Sequence, residues 1–234
     1  MRLPEHIYHA VKPHFSHHAA WHEARLSNAP ESHFPGLIKT DKPGSGEQFL
    51  RFHREMIRVF KWIIANTPGP QYRRVPWEKL PDWLANLFEA AQPNYLTAAY
   101  AEIDRLIVEG TADELGNFIE ATGVSQHPHK NIHNRAHGTI AGYENLTFGA
   151  NNARLADAKM NNFSSAPHNE HFWGLHGWID DVFAKWQQQH GETVDQSPLQ
   201  PDHSGHMHLL SATHPAPPAL SPAEVEHIFR PIWD

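Results

Sequence analysis

The stretch Phe172-Trp-Gly-Leu-His176-Gly-Trp-Ile179-Asp180, continuing to Trp186-Gln187, lies inside the strongest helical pattern in the second half of the chain, Glu170 to Gln189. It places a single imidazole, His176, on an otherwise apolar helical stripe. A lone histidine in such a stripe is more often a core residue than a ligand. Its weight comes from similar residues elsewhere. Phe49-Leu-Arg-Phe-His53-Arg54 embeds a second histidine the same way, within a helical repeat of apolar residues from Glu47 to Ile64. Ile132-His133-Asn-Arg-Ala-His137-Gly138 adds two histidines four apart, which on a helix stand on one face, one above the other. Burying several imidazoles without partners costs free energy. A shared metal ion removes that cost, and imidazole suits copper, zinc, iron and nickel.

Around these three segments the chain reads as helix and loop. Trp83 to Ala91, Tyr95 to Val108 and Ala112 to Ile119 look like shorter helices, and a helix is expected from about Ile132 to Tyr143. A helical pattern near the N-terminus starts at about His14 and runs to Leu26. Thr67-Pro68-Gly69-Pro70 ends the Glu47–Ile64 helix. Asn28 to Gly46 and Asn145 to Pro167 read as loops, and Pro198 to Pro222 as an irregular segment before a short helix at Pro222 to Phe229. Strand-like alternation is scarce. The expected fold class is therefore mainly α, a helical bundle holding a metal site between facing helices. Residues 1–190 form the expected metal-binding domain, and 191–234 a tail rich in proline and histidine.

Composition narrows the function. Of 234 residues 21 are histidine, with no run of six that would mark a purification tag. Hydrophobic residues make up 40% and charged residues 19%, which fits a globular domain. The net charge of −7, with no basic stretch to offset it, argues against nucleic-acid or anionic-membrane surfaces. No apolar run is long enough to span a bilayer. Met1 to His14 has no apolar signal core, so the cytoplasm is the favoured compartment, although the sequence leaves it open. With no cysteine, thiolate metal sites, disulfides and cysteine nucleophiles are excluded.

Taken together, these segments resemble the tyrosinase, catechol oxidase and hemocyanin family of coupled two-copper proteins, in its short bacterial form. In that family one copper is held by a pair like His133-Asn-Arg-Ala-His137. Its third ligand lies in a stretch like Phe172-Trp-Gly-Leu-His176, followed by an Ile-Asp and a Trp-Gln as at Ile179-Asp180 and Trp186-Gln187. The other copper takes its last ligand from a motif like Phe49-Leu-Arg-Phe-His53-Arg54. The motifs occur in the family's order, and the resemblance covers about residues 14–188. Met160 and Ser164-Ser165-Ala166 also resemble the approach to the third ligand.

The resemblance implies two further ligands for the first copper. The early-helix ligand is best matched by His18, in His17-His18-Ala-Ala-Trp21, with His22 one helical turn on as its rival. The family's other ligand stands about nine residues before the position of His53. Gly44 occupies that position here, and the nearest candidate is His33. If neither completes the set, the chain binds one metal. The resemblance also implies that Glu120 and Asn134 hold a water that takes the proton of an incoming phenol, with Glu120 five residues farther from the ligand than the pattern expects. Arg54 and Asp180 resemble an internal ion pair of the family, against the alternative of an exposed pair worth little. The thioether-forming cysteine of many members is absent. Asn169-Glu170 stands where many members have Asp-Pro.

The implied activity is oxidation of phenols or catechols to o-quinones by dioxygen with two copper ions, and Gly138 after His137 would leave room for large phenols. Competing readings are a dioxygen carrier, a mononuclear or copper-handling protein without turnover, and an o-aminophenol oxidase. His203, His206, Met207 and His208 form a short tract that could deliver metal or be a solvated loop, and a copper-delivery partner is a further expectation.

Overall fold

A computed structural model of the protein describes residues 1–26, 36–40, 42–73, 77–120, 127–149, 151–153 and 155–201. His33, the histidines of the 203–208 tract and the helix expected at 222–229 lie outside the described residues. Among the described residues the fold is all helix and loop, with one isolated bridge, Arg2 to Asn169. The helices are α1 (Glu5–Val11), α2 (Ser16–Leu26), α3 (Ser45–Asn66), α4 (Asp82–Ala91), α5 (Tyr95–Glu109), α6 (Ala112–Glu120), α7 (Ile132–Phe148) and α8 (Glu170–Gln189). None is long and apolar enough to cross a membrane.

Helix α3 is the central element, and its apolar face buries Phe49, Phe52, Met56, Phe60 and Ile63. It crosses α6 at a point that admits only glycine. A Cβ on Gly116 would lie 1.9 Å from the carbonyl oxygen of Gly46, and one on Gly46 would lie 2.2 Å from the carbonyl oxygen of Asp113. At the same crossing the Asp113 carboxylate accepts hydrogen bonds from the backbone N–H groups of Gly44 (2.9 Å) and Gly46 (2.8 Å). The first turn of α3, which has no partners of its own for these donors, is thus capped by a neighbouring helix.

Helix α8 is buried nearly all round, as its sequence of aromatics and glycines requires. Trp173 stacks on Phe60 of α3 with centroids 3.8 Å apart and planes 2° apart, and its Nε1–H donates to the Pro167 carbonyl. Arg54 of α3 reaches across to Asp180 and Gln187 of α8. This pair is buried on both sides, at 8% and 2% side-chain exposure, so the exposed alternative does not apply. After α8 the chain returns along α3, where Leu199 N–H donates to the Arg58 carbonyl and Arg58 Nε to the Ser197 carbonyl.

Two local features differ from the sequence expectation. Residues 5–11 form a separate helix, started by Pro4, that buries Ile7, Tyr8 and Val11. Helix α7 runs five residues beyond Tyr143 and stops at Gly149, whose φ of 84° no ordinary residue adopts comfortably. The unusual Asn169 also finds a reason. Its Oδ1 caps α8 by accepting from His171 N–H, while its Nδ2 donates to the Ala158 carbonyl and the buried Glu144 carboxylate. An aspartate could cap but could not donate, and its charge would face Glu144.

Candidate metal centre

Four helices bring histidines to one buried point. Helix α2 supplies His18 and His22, α3 supplies His53, α7 supplies His133 and His137, and α8 supplies His176; all six are buried. Imidazole nitrogens of His18, His22 and His53 lie within 4.8 Å of one another, as do those of His53, His133 and His176. The His137 ring stands 4.6 Å from His133 and 5.3 Å from His176, centroid to centroid. His53 belongs to both groupings by distance. The ring of His137, on the same face of α7 as His133, stands beside the second grouping. His22, which the sequence offered only as a rival to His18, lies beside it: one helical turn places both against His53.

The hydrogen bonds specify which nitrogen of each ring is free. A carbonyl oxygen can only accept, so a ring nitrogen facing one carries the proton. His18 Nδ1–H donates to the Phe163 carbonyl (2.7 Å), His53 to Phe49 (2.9 Å), His137 to Met160 (2.6 Å) and His176 to Phe172 (2.8 Å). For His133 the acceptor is Asn134 Oδ1 at 2.9 Å. That amide is oriented by its Nδ2, which donates to the Glu120 carbonyl at 2.7 Å. Each of these five rings is therefore left with a bare Nε2 lone pair. The Nε2 atoms of His18, His22, His53 and His137 are buried without a partner. Those of His133 and His176 face each other at 3.0 Å, two acceptors with no proton between them. Such an arrangement is unfavourable alone and satisfied by a cation. Orientation of ligating imidazoles by carbonyls on the far nitrogen is what metal sites use.

Burial also keeps the rings neutral. It lowers His18 to about 3 and His137 to about 4, and drives His22, His53, His133 and His176 well below the ordinary 6.5, with neighbouring imidazoles adding to the effect. Neutral imidazole is the metal-binding form. It also has a consequence for stability. Between pH 6.5 and about 4 the unfolded chain takes up protons on these rings that the folded chain refuses. The rings' contribution to the stability of the metal-free protein is thus complete above pH 6.5 and falls as the pH drops through that window. Urea midpoints measured on metal-free protein at pH 7.5, 6 and 5 should decrease in that order. A midpoint constant down to pH 5 would show that the rings protonate within the fold.

The surroundings differ on the two sides. Phe163, which the sequence reading left within a polar loop, stacks on His22 with centroids 4.6 Å and planes 9° apart, and is 36% exposed. No helical periodicity marks it; the loop simply carries it over the α2 pair. Beside His137, a Cβ added to Gly138 would meet nothing within 4 Å. Glu120 ends α6, and burial pushes its carboxyl up while the Arg25 guanidinium pulls it back. Its Oε1 accepts from Arg25, and its Oε2 is buried without a partner. Arg25 is a second residue the sequence reading missed, because nothing in its spacing distinguishes it from a solvated helix-end cation.

The family model described as the common central domain of tyrosinase matches residues 65–189. It spans His133, His137 and His176 together with Glu120 and Asn134, and begins after His18, His22 and His53. No curated protein matches the chain. The two histidine groups fit metal binding, copper is the metal this family implies, and the match extends over more than half of the sequence: the chain belongs to the tyrosinase family of oxidoreductases.

Proposed function

We propose that the protein binds two copper ions, one through His18, His22 and His53 and the other through His133, His137 and His176, and oxidises phenols and catechols to o-quinones with dioxygen. The observation that carries this reading is the set of buried Nε2 atoms left without partners on α2, α3 and α7, beside the His133 and His176 Nε2 atoms that face each other at 3.0 Å, in a tyrosinase-family chain. On this reading His22 does for the first copper what the family resemblance left to His33 as the nearest candidate. Held by these neutral imidazoles, copper would supply one-electron chemistry between Cu(I) and Cu(II) for the reduction of dioxygen.

The protein's own groups do the rest. The carbonyls of Phe163, Phe49, Met160 and Phe172 hold the rings in one tautomer, and Asn134 does so for His133. Phe163 covers the α2 side, while Gly138 leaves the α7 side open to a substrate ring. Glu120 Oε2, directly or through the water that the family resemblance implies, is the acceptor for the proton that the phenol hydroxyl gives up, and the upward push of burial on its carboxyl suits it to that role. Ortho-hydroxylation of monophenols is the finer activity this arrangement supports.

A second reading has an observation of its own. The family match holds only the α7 and α8 histidines, which alone would make a mononuclear centre. Copper per chain after reconstitution and removal of loosely held metal decides between them, with oxygen uptake measured on catechol, a monophenol and an o-aminophenol. Two coppers per chain with catechol turnover is the expected result. One copper per chain selects the mononuclear centre. Two coppers without turnover means a copper-binding protein, and turnover of the aminophenol alone moves the substrate class.

A further inference from the structure

Arg25 lies three residues beyond His22, fully inside the molecule at 2% exposure. Each arm of its guanidinium is used. Nη1 donates to Glu120 Oε1 at 2.5 Å, Nη2 to the Ser45 carbonyl at 2.8 Å and Nε to the Ile38 carbonyl at 3.3 Å, with the group lying over the Trp21 ring at 4.2 Å. A planar fork of donors can hold a carboxylate by one oxygen while two carbonyls stop it from turning; a lysine cannot. Glu120 is held at a second point by its own carbonyl, which accepts from Asn134. Two anchors thus leave a single degree of chemical freedom on Glu120: the partnerless Oε2.

We propose that Arg25 is a positioning residue for proton transfer, holding Glu120 with Oε1 bound and Oε2 free to accept the hydroxyl proton of a monophenol. This rests on the phenol oxidase reading above. The step itself is simple: the phenol O–H bond breaks, its proton passes to Glu120 Oε2, and the phenolate keeps the electron pair. A monophenol depends on this acceptor more than a catechol does, because the catechol's neighbouring hydroxyl stabilises its phenolate by hydrogen bonding. Arg25 therefore bears on the choice between hydroxylating monophenols and only oxidising diphenols.

The test is a double-mutant cycle of Arg25→Met and Glu120→Gln, with Arg25→Lys as the conservative variant, all on copper-loaded protein. Copper per chain, the ratio of monophenol to catechol turnover, and the Kd of 4-fluorophenol without oxygen are measured for each. Arg25→Met should lower the turnover ratio about tenfold, a part of the roughly 10²–10⁴-fold that a general base contributes. It should also weaken 4-fluorophenol about tenfold at unchanged copper content, with Arg25→Lys in between. In the Glu120→Gln background Arg25→Met should change neither further. Equal loss on both substrates, a fall in copper per chain, or an undiminished effect in the Glu120→Gln background would each overturn the proposal. Wild-type protein that binds two coppers and 4-fluorophenol yet oxidises nothing would sink the oxidase reading, while the anaerobic binding cycle would still decide the role of Arg25.

Discussion

Under the proposed two-copper reading, substitution of His53 by alanine is expected to reduce copper from two per chain to one or fewer and to lower catechol-dependent oxygen uptake by about a thousandfold, beyond the roughly 10–100-fold typical of losing a residue that merely supports a ligand. The reason is its position. His53 is 1% exposed, its Nδ1–H is tied to the Phe49 carbonyl one turn earlier, and its other nitrogen lies within 4.8 Å of ring nitrogens from both histidine groups. No other residue among the described ones has that double membership. Its loss therefore leaves the first group with two histidines from one helix and opens a gap beside the second. The exposed His9, paired with Glu5 on α1, provides the control: His9→Ala should retain both coppers and full turnover. Two coppers retained in His53→Ala would remove His53 from the ligand set and with it the reading of two coupled sites.

Breaking the ion pair one residue further on should be the largest effect on stability. Arg54 donates to the Asp180 carboxylate and, through Nη2, to the Asp180 carbonyl at 3.0 Å; it also binds Gln187 and lies over the Phe183 ring at 4.4 Å. Asp180 receives one further bond, from Gln196 Nε2 at 2.7 Å. Arg54→Met strands the buried carboxylate, which costs about 3–5 kcal/mol. At roughly 2–4 °C per kcal/mol for a chain of this size, the melting temperature should fall by on the order of 10 °C. Replacing Asp180 by asparagine as well should restore part of the loss, because the uncompensated charge is then gone. A shift under about 1 kcal/mol in guanidinium unfolding is the behaviour of an exposed pair and would contradict this account. Because Arg54 follows His53 and Asp180 stands one turn after His176, the same pair sets the register of the two helices whose rings stack at 4.6 Å across the centre.

Much of this is readable in the sequence. Helix α3 was legible because its apolar residues recur at helical spacing over five turns, and α8 because aromatics and glycines on all sides leave no solvated face. The pair His133 and His137 was legible because an i, i+4 spacing needs only a helix to place both rings together. The same rule applied to His18 and His22 yet did not settle their roles, since the sequence made them rivals rather than partners. Helix α1 was missed because seven residues carry too little periodicity to register. Phe163 and Arg25 could not be found at all. Their contributions come from loop backbone and from contacts to residues 95 to 145 positions away, which no local pattern encodes.

What the linear chain decided was chemistry and class: a cysteine-free, histidine-rich helical protein whose spacings could serve a metal, and whose motifs follow those of a tyrosinase-like family. What waited for the folded chain was the membership and state of the site. Helical periodicity is a property of neighbours in sequence and survives in the bare string. The meeting of α2, α3, α7 and α8, the oxygens that accept from five of the Nδ1–H groups and so leave those Nε2 atoms bare, and the burial that keeps the rings neutral are properties of packing. They exist only once a glycine crossing and a buried ion pair have brought distant helices to within a few ångströms of each other.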